Sequence, residues 1–216
     1  GSGDSAYLQF VALGITMLLA VLLGMGMPAV PAYINVALLM GPLLIGLGIA
    51  TFTAHMFIFY FAVASAITPP VALAAFAAST ITKAEPMATG LSAVKSGIVI
   101  FIVPFVFAFH PELLIITDAI IDPRSSNGGF INGYDGIFAY GSFALLLSRF
   151  IIALYLLSSA LAAYDKTGLA TWEIALRLIL AALLMMKPDA IWIGASALSL
   201  GVLFLHSQRR DTSVTS

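Results

Sequence analysis

The chain has 216 residues, of which 61% are hydrophobic and only 9% are charged, with a formal net charge of −1. Soluble domains carry about 25% charged residues, so this composition excludes an ordinary soluble domain and indicates an integral membrane protein. The near-neutral charge excludes an electrostatic footprint for nucleic acid. The absence of cysteine excludes disulfide bonds, thiolate metal sites and a cysteine nucleophile.

The first 50 residues contain two apolar helical stretches separated by a segment rich in glycine and proline. Residues 6–23 and 33–50 are apolar, with an interruption expected at residues 41–42, and residues 24–31 read GMGMPAVP. Residues 6–50 form either a re-entrant hairpin or two separate spans, and periodicity does not separate these alternatives. The uncharged tip favours the hairpin, because unwound backbone at membrane depth requires burial in protein or a wet cavity.

A second break is predicted inside the apolar stretch of residues 51–82. Thr68 is followed by Pro69 and Pro70, which lack an N–H group and push the preceding residue out of the α region. We therefore predict one discontinuous helix, in which the carbonyl groups near residues 64–68 lose their helical partners and become free to coordinate a ligand.

The rest of the chain is predicted to contain further helices and one polar loop. Residues 87–109 form a spanning helix with a kink expected at Pro104, and residues 113–121 are too short to span and are placed at the interface. The expected organisation is a first portion at residues 1–121, a polar loop at 122–136, transmembrane helices at 137–205 (137–163, 172–186 and 191–205) and a polar, disordered tail at 206–216.

The distribution of Lys and Arg predicts the orientation of the chain in the membrane. With a re-entrant hairpin, one side carries the cationic residues Lys83, Lys166, Arg209 and Arg210. Cytoplasmic loops carry an excess of Lys and Arg, so this side and the C-terminus are predicted to be cytoplasmic. The hairpin tip then enters from the outer face.

The hairpin tip is a candidate binding site made mainly of backbone. Gly24 and Gly26 allow positive φ and the close approach of a ligand. Together with Met25 and Pro28, they are the candidate binding residues of the tip. The helix that follows directs its unpaired N–H groups and positive dipole end toward the tip, which favours an anionic substrate. The alternative is a kink that serves only helix packing, since Gly and Pro are common in transmembrane helices.

The second break is a candidate site for a hard cation. Ser65 and Thr68 offer hydroxyl groups, and the backbone freed by Pro69 and Pro70 offers carbonyl oxygens, a donor set suited to Na⁺. The Na⁺ candidates are therefore Gly26, Ser65 and Thr68. The alternative interpretation is a proline hinge. No carboxylate lies beside either break, so coupling to H⁺ instead of Na⁺ stays open.

Three isolated polar residues are also candidates. His55 is interpreted either as a proton relay or as an interface residue. Asn35 bonds either the substrate or a neighbouring helix. Arg149 lies in the middle of a span, where a buried charge requires a partner or an aqueous path. The chain has no HExxH, GxSxG or GxxxxGK[ST] motif, so we expect no catalytic residue, no cofactor and no enzyme activity.

Several of these segments resemble the large membrane subunit of tripartite ATP-independent periplasmic (TRAP) transporters. The resemblance lies in GMGMP at 24–28, AHMFIFYF at 54–61, SAITPPVALAAFAA at 65–78, ATG at 88–90 and FIVPF at 101–105, and it continues at Tyr164, Trp172-Glu173 and Lys187-Pro188-Asp189. The nearest type is the fused permease that works with TAXI-type binding proteins.

The resemblance implies an all-α fold of the ion-transporter-superfamily type, with two inverted repeats that each hold a re-entrant hairpin and a discontinuous helix. It implies residence in the bacterial inner membrane and an elevator-type movement of a transport domain. A periplasmic binding protein delivers an organic anion, and an ion gradient, commonly Na⁺, drives uptake. The implied site consists of the second hairpin tip at 24–28 and the second helix break at 65–70.

The chain is interpreted as the second repeat and the C-terminal helices of such a permease. The first repeat and the small-subunit portion are then its expected partners, together with the periplasmic binding protein and membrane lipids. The predicted function is secondary-active uptake of a carboxylate-type organic anion. The alternative is a membrane subunit that serves assembly and does not transport, in which the two breaks only bend helices.

Overall fold

A computed structural model describes residues 2–116, 118–121, 130–133, 139–162, 164–165, 167–185, 198–199 and 201–202. Side chains are described for residues 7–116, 139–162, 169–185, 198–199 and 201–202. The chain divides into two units, Gly1–Phe138 and Ala139–Ser216. Most of the predicted polar loop at 122–136, most of the last predicted helix at 191–205 and the whole tail at 206–216 lie outside the described residues.

Helices make up most of the described residues in both units. The α-helices are α1 (Ser2–Gly24), α2 (Ala29–Gly46), α3 (Thr51–Ala64), α4 (Leu73–Thr82), α5 (Pro86–Ser96), α6 (Val103–Phe109), α7 (Tyr140–Ala162) and α8 (Thr171–Met185). Short 3-10 helices occupy Ser65–Ile67, Ile98–Phe101 and Pro111–Leu114. Within the described residues, α1, α2 and α7 are long and apolar enough to cross a membrane. The predicted all-α membrane class is confirmed.

Two short strand pairs lie in the connections between helices. Strands β1 (Asp118–Ile121) and β2 (Phe130–Gly133) pair antiparallel, with Asp118 opposite Gly133. Strands β3 (Tyr164–Asp165) and β4 (Thr167–Gly168) also pair antiparallel.

Helices α1 and α2 form a helical hairpin whose open end is closed by hydrogen bonds. The Gln9 side chain on α1 donates to the Leu47 carbonyl at the end of α2, at 2.7 Å. Gly48 has a φ of +88°, and Ile49 N–H bonds the Leu44 carbonyl at 3.1 Å. This is a Schellman-type ending, which needs a left-handed residue and favours glycine there. It ends α2 at Gly46, four residues before the predicted end.

The predicted interruption of the second helix at residues 41–42 is wrong. Helix α2 continues through Pro42, which is exposed. Proline removes one backbone hydrogen bond from the helix. Val36, Met40 and Leu44 are buried at successive four-residue intervals on either side of it, so one continuous packed face holds the helix together.

An aromatic cluster forms the core of the first unit, where α1, α2, α3 and α6 pack together. Phe57 and Phe61 of α3 are fully buried, and their ring centroids are 4.9 Å apart. Phe105 of α6 lies edge-on to Phe57 at 5.2 Å. Edge-to-face pairs of this kind stabilise beyond their buried area, so α3 is held firmly at the centre of the unit.

The predicted spanning helix at 87–109 is bent, but not at Pro104. Helix α5 ends at Ser96, and the Ile98–Phe109 segment turns away from it by 62°. Pro104 lies in the first turn of α6, where a missing N–H group costs nothing. Gly97 is the residue that ends α5. The kink therefore comes from glycine and a 3-10 turn.

The second unit is a pair of helices with a buried polar contact. Arg177 of α8 is fully buried, and its Nη1 donates to the Ser159 hydroxyl of α7 at 2.6 Å. Glu173, one turn before Arg177, is also buried. Buried charged side chains need polar partners, so α7 and α8 are joined by polar side chains as well as by apolar packing.

Candidate functional site

The hairpin tip has the unwound backbone that the sequence predicts. Helix α1 ends at Gly24 and α2 begins at Ala29. Gly26 has a φ of +78°, a conformation that glycine adopts without strain. Pro28 is the N-cap residue of α2 and provides no side-chain acceptor. The first N–H groups of an α-helix have no partner within the helix. At the start of α2 no side chain of the N-cap residue accepts a hydrogen bond from them.

The second break also forms where the sequence predicts it. Helix α3 ends at Ala64, a 3-10 turn covers Ser65–Ile67, and Thr68 is extended with φ −94° and ψ 120°. The Pro69–Pro70 peptide bond is cis. The chain resumes helical structure only at α4. The predicted discontinuous helix is therefore present, with its gap at residues 65–72.

The sequence predicts that the carbonyl groups near residues 64–68 lose their hydrogen-bond partners. Some of these carbonyl groups have a partner in the structure. The Ala64 carbonyl accepts a hydrogen bond from Thr68 Oγ1 at 2.9 Å, and the Ser65 carbonyl accepts one from Thr68 N–H at 3.2 Å. Local side-chain bonds of this kind replace lost helical bonds. The Ala66 carbonyl differs, because the residues three and four positions ahead are Pro69 and Pro70, and neither has an N–H group.

The tip and the break are in direct contact. A Cβ atom added to Gly24 would lie 2.6 Å from Ser65 Oγ and 2.8 Å from Ser65 Cβ. A Cβ atom added to Gly26 would lie 3.8 Å from Val71. Ser65 is buried and donates to the Ala62 carbonyl at 2.6 Å. The structure thus brings the two predicted walls together, with Gly24 packed on Ser65.

Helix α5 supplies a third wall, which sequence reasoning missed. A Cβ atom added to Gly90 would lie 3.1 Å from Pro69 Cγ, and one added to Gly97 would lie 3.4 Å from Ile67 Cδ1. The available signal was the seven-residue spacing of the two glycines, since residues seven apart lie on one helix face. Gly24 packs on Ser65, and Gly90 packs on Pro69. We name these four residues the break cluster.

His55 contacts the hairpin rather than the break. Its Nδ1 atom lies 3.0 Å from the Tyr33 hydroxyl of α2, and the two rings meet edge-on at 6.0 Å. The contact joins α3 to the second arm of the hairpin. Asn35 is exposed on α2, about 9 Å by helix rise from Ala29, so the structure does not bring it into the break cluster.

The candidate arginine, Arg149, lies in α7 of the second unit and is half-buried. The fully buried guanidinium is that of Arg177, which sequence reasoning missed. The signal was the Glu173–Arg177 spacing, because residues four apart share one face of a helix. Two charges on one face of an otherwise apolar helix indicate a buried polar contact in a membrane protein.

A comparison with protein families identifies the family of the chain that carries this site. Residues 3–120 match the sequence model of the tripartite ATP-independent periplasmic transporter, DctM component. The match covers more than half of the chain. The chain belongs to this family. No curated protein and no solved structure matches it.

Family membership confirms the predicted resemblance to the large permease component of TRAP transporters. The DctM component is a transporter permease and not an enzyme, and its spanning helices make it a multi-pass protein of the inner membrane. The family implies association with a periplasmic binding protein and a small membrane subunit. The match contains the tip, the break and α5, whereas α7 and α8 lie beyond it.

Proposed function

We propose that this DctM-family chain takes part in ion-driven uptake of a carboxylate-type organic anion, with the break cluster as part of the ion and substrate site. The observation that carries the proposal is the contact of Gly24 with Ser65, which joins two unwound segments inside an apolar unit. Unwound backbone that lines a shared site is how secondary transporters coordinate ions and substrates.

Na⁺ is the proposed coupling ion, because the groups at the break are neutral oxygens. Ser65 and Thr68 each donate their hydroxyl hydrogen to a backbone carbonyl, which leaves oxygen lone pairs for a cation. The Ala66 carbonyl adds an oxygen whose helical donors are replaced by two prolines. Hydroxyl and carbonyl oxygens are ligands that hard cations prefer. Coupling to H⁺ through His55 is the alternative.

The anion is proposed to bind at the start of α2. This helix has 18 residues and no side-chain cap at Pro28, so its first N–H groups and its dipole favour negative charge. Gly26 at φ +78° keeps the approach to these groups free of a side chain. Met25, which is half-buried, is proposed to contact the apolar part of the substrate.

The remaining features of the proposal rest on the family. A periplasmic binding protein delivers the substrate, and the transport portion moves as an elevator relative to a scaffold. The first repeat supplies the other half of the site, and the C-terminus faces the cytoplasm. The fused, TAXI-associated type is part of the same proposal.

The first experiment measures whether Na⁺ binds. We expect NaCl to raise the unfolding temperature of the purified permease above that in equimolar choline chloride, because a ligand that binds only the folded state stabilises it. Thr68→Ala should abolish this difference, since it removes a hydroxyl at the break. Thr80→Ala is the control: Thr80 is exposed on α4, and its hydroxyl also donates to a backbone carbonyl of its own helix, that of Ala77, at 2.7 Å.

The second experiment measures uptake of carboxylates by proteoliposomes that contain the permease with its membrane and periplasmic partners. Uptake that requires a Na⁺ gradient supports the proposal. Uptake that requires only a proton gradient would show that the coupling ion is H⁺ and not Na⁺. A complete lack of uptake under both gradients contradicts transport and favours the assembly-subunit interpretation.

A further inference from the structure

Helix α5 packs against the break through a glycine that has no role in the proposed coordination. Gly90 is buried. A Cβ atom at this position would lie 3.1 Å from Pro69 Cγ, 3.6 Å from Ala72 Cβ and 3.7 Å from Phe76 Cε1. Because 3.1 Å is closer than side-chain carbons normally approach, a side chain here requires Pro69 or α5 to move.

The start of α5 is fixed by its own capping. Glu85 is the N-cap residue, and its carboxylate accepts hydrogen bonds from the N–H groups of Met87, at 3.0 Å, and Ala88. Pro86 occupies the first turn, where its fixed φ suits a helix. The Thr89 hydroxyl bonds the Glu85 carbonyl at 2.8 Å. A capped first turn resists displacement, so the strain of an added Cβ falls mainly on the Pro69 side.

Movement of Pro69 would displace the ion-coordinating groups directly. Thr68 precedes it in the chain, and the Thr68 hydroxyl donates to the Ala64 carbonyl at 2.9 Å. The Ala66 carbonyl depends on the same turn for its direction. Binding sites require their ligating groups to be held within about 0.5 Å of the productive geometry. A displacement of a few tenths of an ångström at Pro69 takes up much of this tolerance, so we expect it to weaken ion binding.

We propose that Gly90 is a positioning residue for the ion site: by lacking a side chain, it lets α5 seat the Pro69 turn so that Thr68 and the Ala66 carbonyl are correctly placed. That these groups hold an ion rests on the proposed function. The packing of the Pro69 turn on Gly90 is seen in the structure and does not depend on that function.

The test compares Gly90→Ala with Gly14→Ala in the purified permease. Gly14 lies in α1 with no atom within 4 Å of an added Cβ, so it controls for the exchange of glycine by alanine in a helix. The NaCl concentration that gives half of the thermal stabilisation should rise by about tenfold in Gly90→Ala, the lower end of what loss of a partner behind the ligating groups costs in metal affinity, and stay unchanged in Gly14→Ala. A purely structural defect would lower the unfolding temperature equally in NaCl and choline chloride, and that result overturns the proposal.

A second readout is independent of the ion. Hydrogen–deuterium exchange in choline chloride should become faster in residues 65–73 of Gly90→Ala and remain unchanged in residues 29–46. If the wild type shows no response to NaCl, the Na⁺ proposal fails, and faster exchange in residues 65–73 still supports the positioning role. Unchanged exchange in residues 65–73 overturns it.

A rescue covers the case in which Gly90→Ala does not fold. Pro69→Ala removes the Cγ atom that the added Cβ would meet. The double variant Pro69→Ala, Gly90→Ala should therefore show the same unfolding temperature as Pro69→Ala alone. An additional loss of stability in the double variant contradicts positioning through Pro69.

Discussion

The two units of the chain place polarity in apolar surroundings in different ways. In the first, Gly1–Phe138, the helices are broken and the polar groups at the breaks are backbone and hydroxyl oxygens. In the second, α7 and α8 are regular, and the polar contact is made by the buried Arg177 and Ser159 side chains. The first unit interrupts its helices at the breaks, whereas the described helices α7 and α8 stay regular and enclose a buried charge.

The difference supports the proposal that the first unit binds and releases a ligand. A buried guanidinium is costly to leave alone, so its contacts are permanent. Neutral carbonyl and hydroxyl dipoles attract an ion more weakly and can release it again. Breaks without charged side chains are therefore suited to a transport site, whereas the arginine contact is suited to holding two helices together.

The largest effect is expected from Gly24→Ala, which tests the backbone side of the comparison. The new Cβ would lie 2.6 Å from Ser65 Oγ, and overpacking of this kind costs about 1–3 kcal/mol. We expect a lower free energy of unfolding, measured by thermal or denaturant unfolding, and loss of the NaCl response.

A compensating change separates packing from ion binding at the same contact. Ser65→Gly removes the atoms that the new Cβ would meet, so the double variant Gly24→Ala, Ser65→Gly should regain much of the lost stability. It should not regain the NaCl response, because the Ser65 hydroxyl is absent. A stable Gly24→Ala variant with an unchanged NaCl response would show that the two breaks are not coupled.

An intermediate effect is expected from Ser159→Ala, which tests the side-chain region. It removes the acceptor of the Arg177 Nη1 hydrogen bond, and such bonds contribute about 1–2 kcal/mol, between the values for charged groups and for membrane helices. The neighbouring Ser158 is exposed, so Ser158→Ala should change stability by less than about 0.5 kcal/mol. Both variants should keep the NaCl response, and its loss in Ser159→Ala would contradict the separation of roles.

The smallest effect is expected from Tyr33→Phe. It removes the hydroxyl that lies 3.0 Å from His55 Nδ1, a half-buried contact worth about 0.5–1 kcal/mol. Tyr7→Phe is the control, because Tyr7 is exposed on α1. Uptake driven by a Na⁺ gradient should continue in Tyr33→Phe. Uptake that is lost in Tyr33→Phe but kept in Tyr7→Phe would favour the proton-relay interpretation of His55.

Sequence reasoning located both breaks because their causes are local. Two prolines after Thr68 forbid a continuous helix whatever surrounds them, and glycine with proline at 24–28 permits the tip. It erred at Pro42 and Pro104, where the effect of proline depends on its surroundings. Pro42 lies in a helix held by a continuous packed face, and Pro104 lies in a first turn that needs no N–H group.

The membrane class, the family motifs and the positions of the two unwound segments could be predicted from the sequence, because composition and backbone restrictions act within a few residues. The three-dimensional structure was needed to show that Gly24 rests on Ser65, that Gly90 of α5 rests on Pro69, and that Arg177 is buried. These contacts join residues that are 41, 21 and 18 positions apart. Contacts at such separations depend on how whole helices pack. The spacings of Gly90 with Gly97 and of Glu173 with Arg177 indicate a shared helix face, but they do not identify the residue that this face meets.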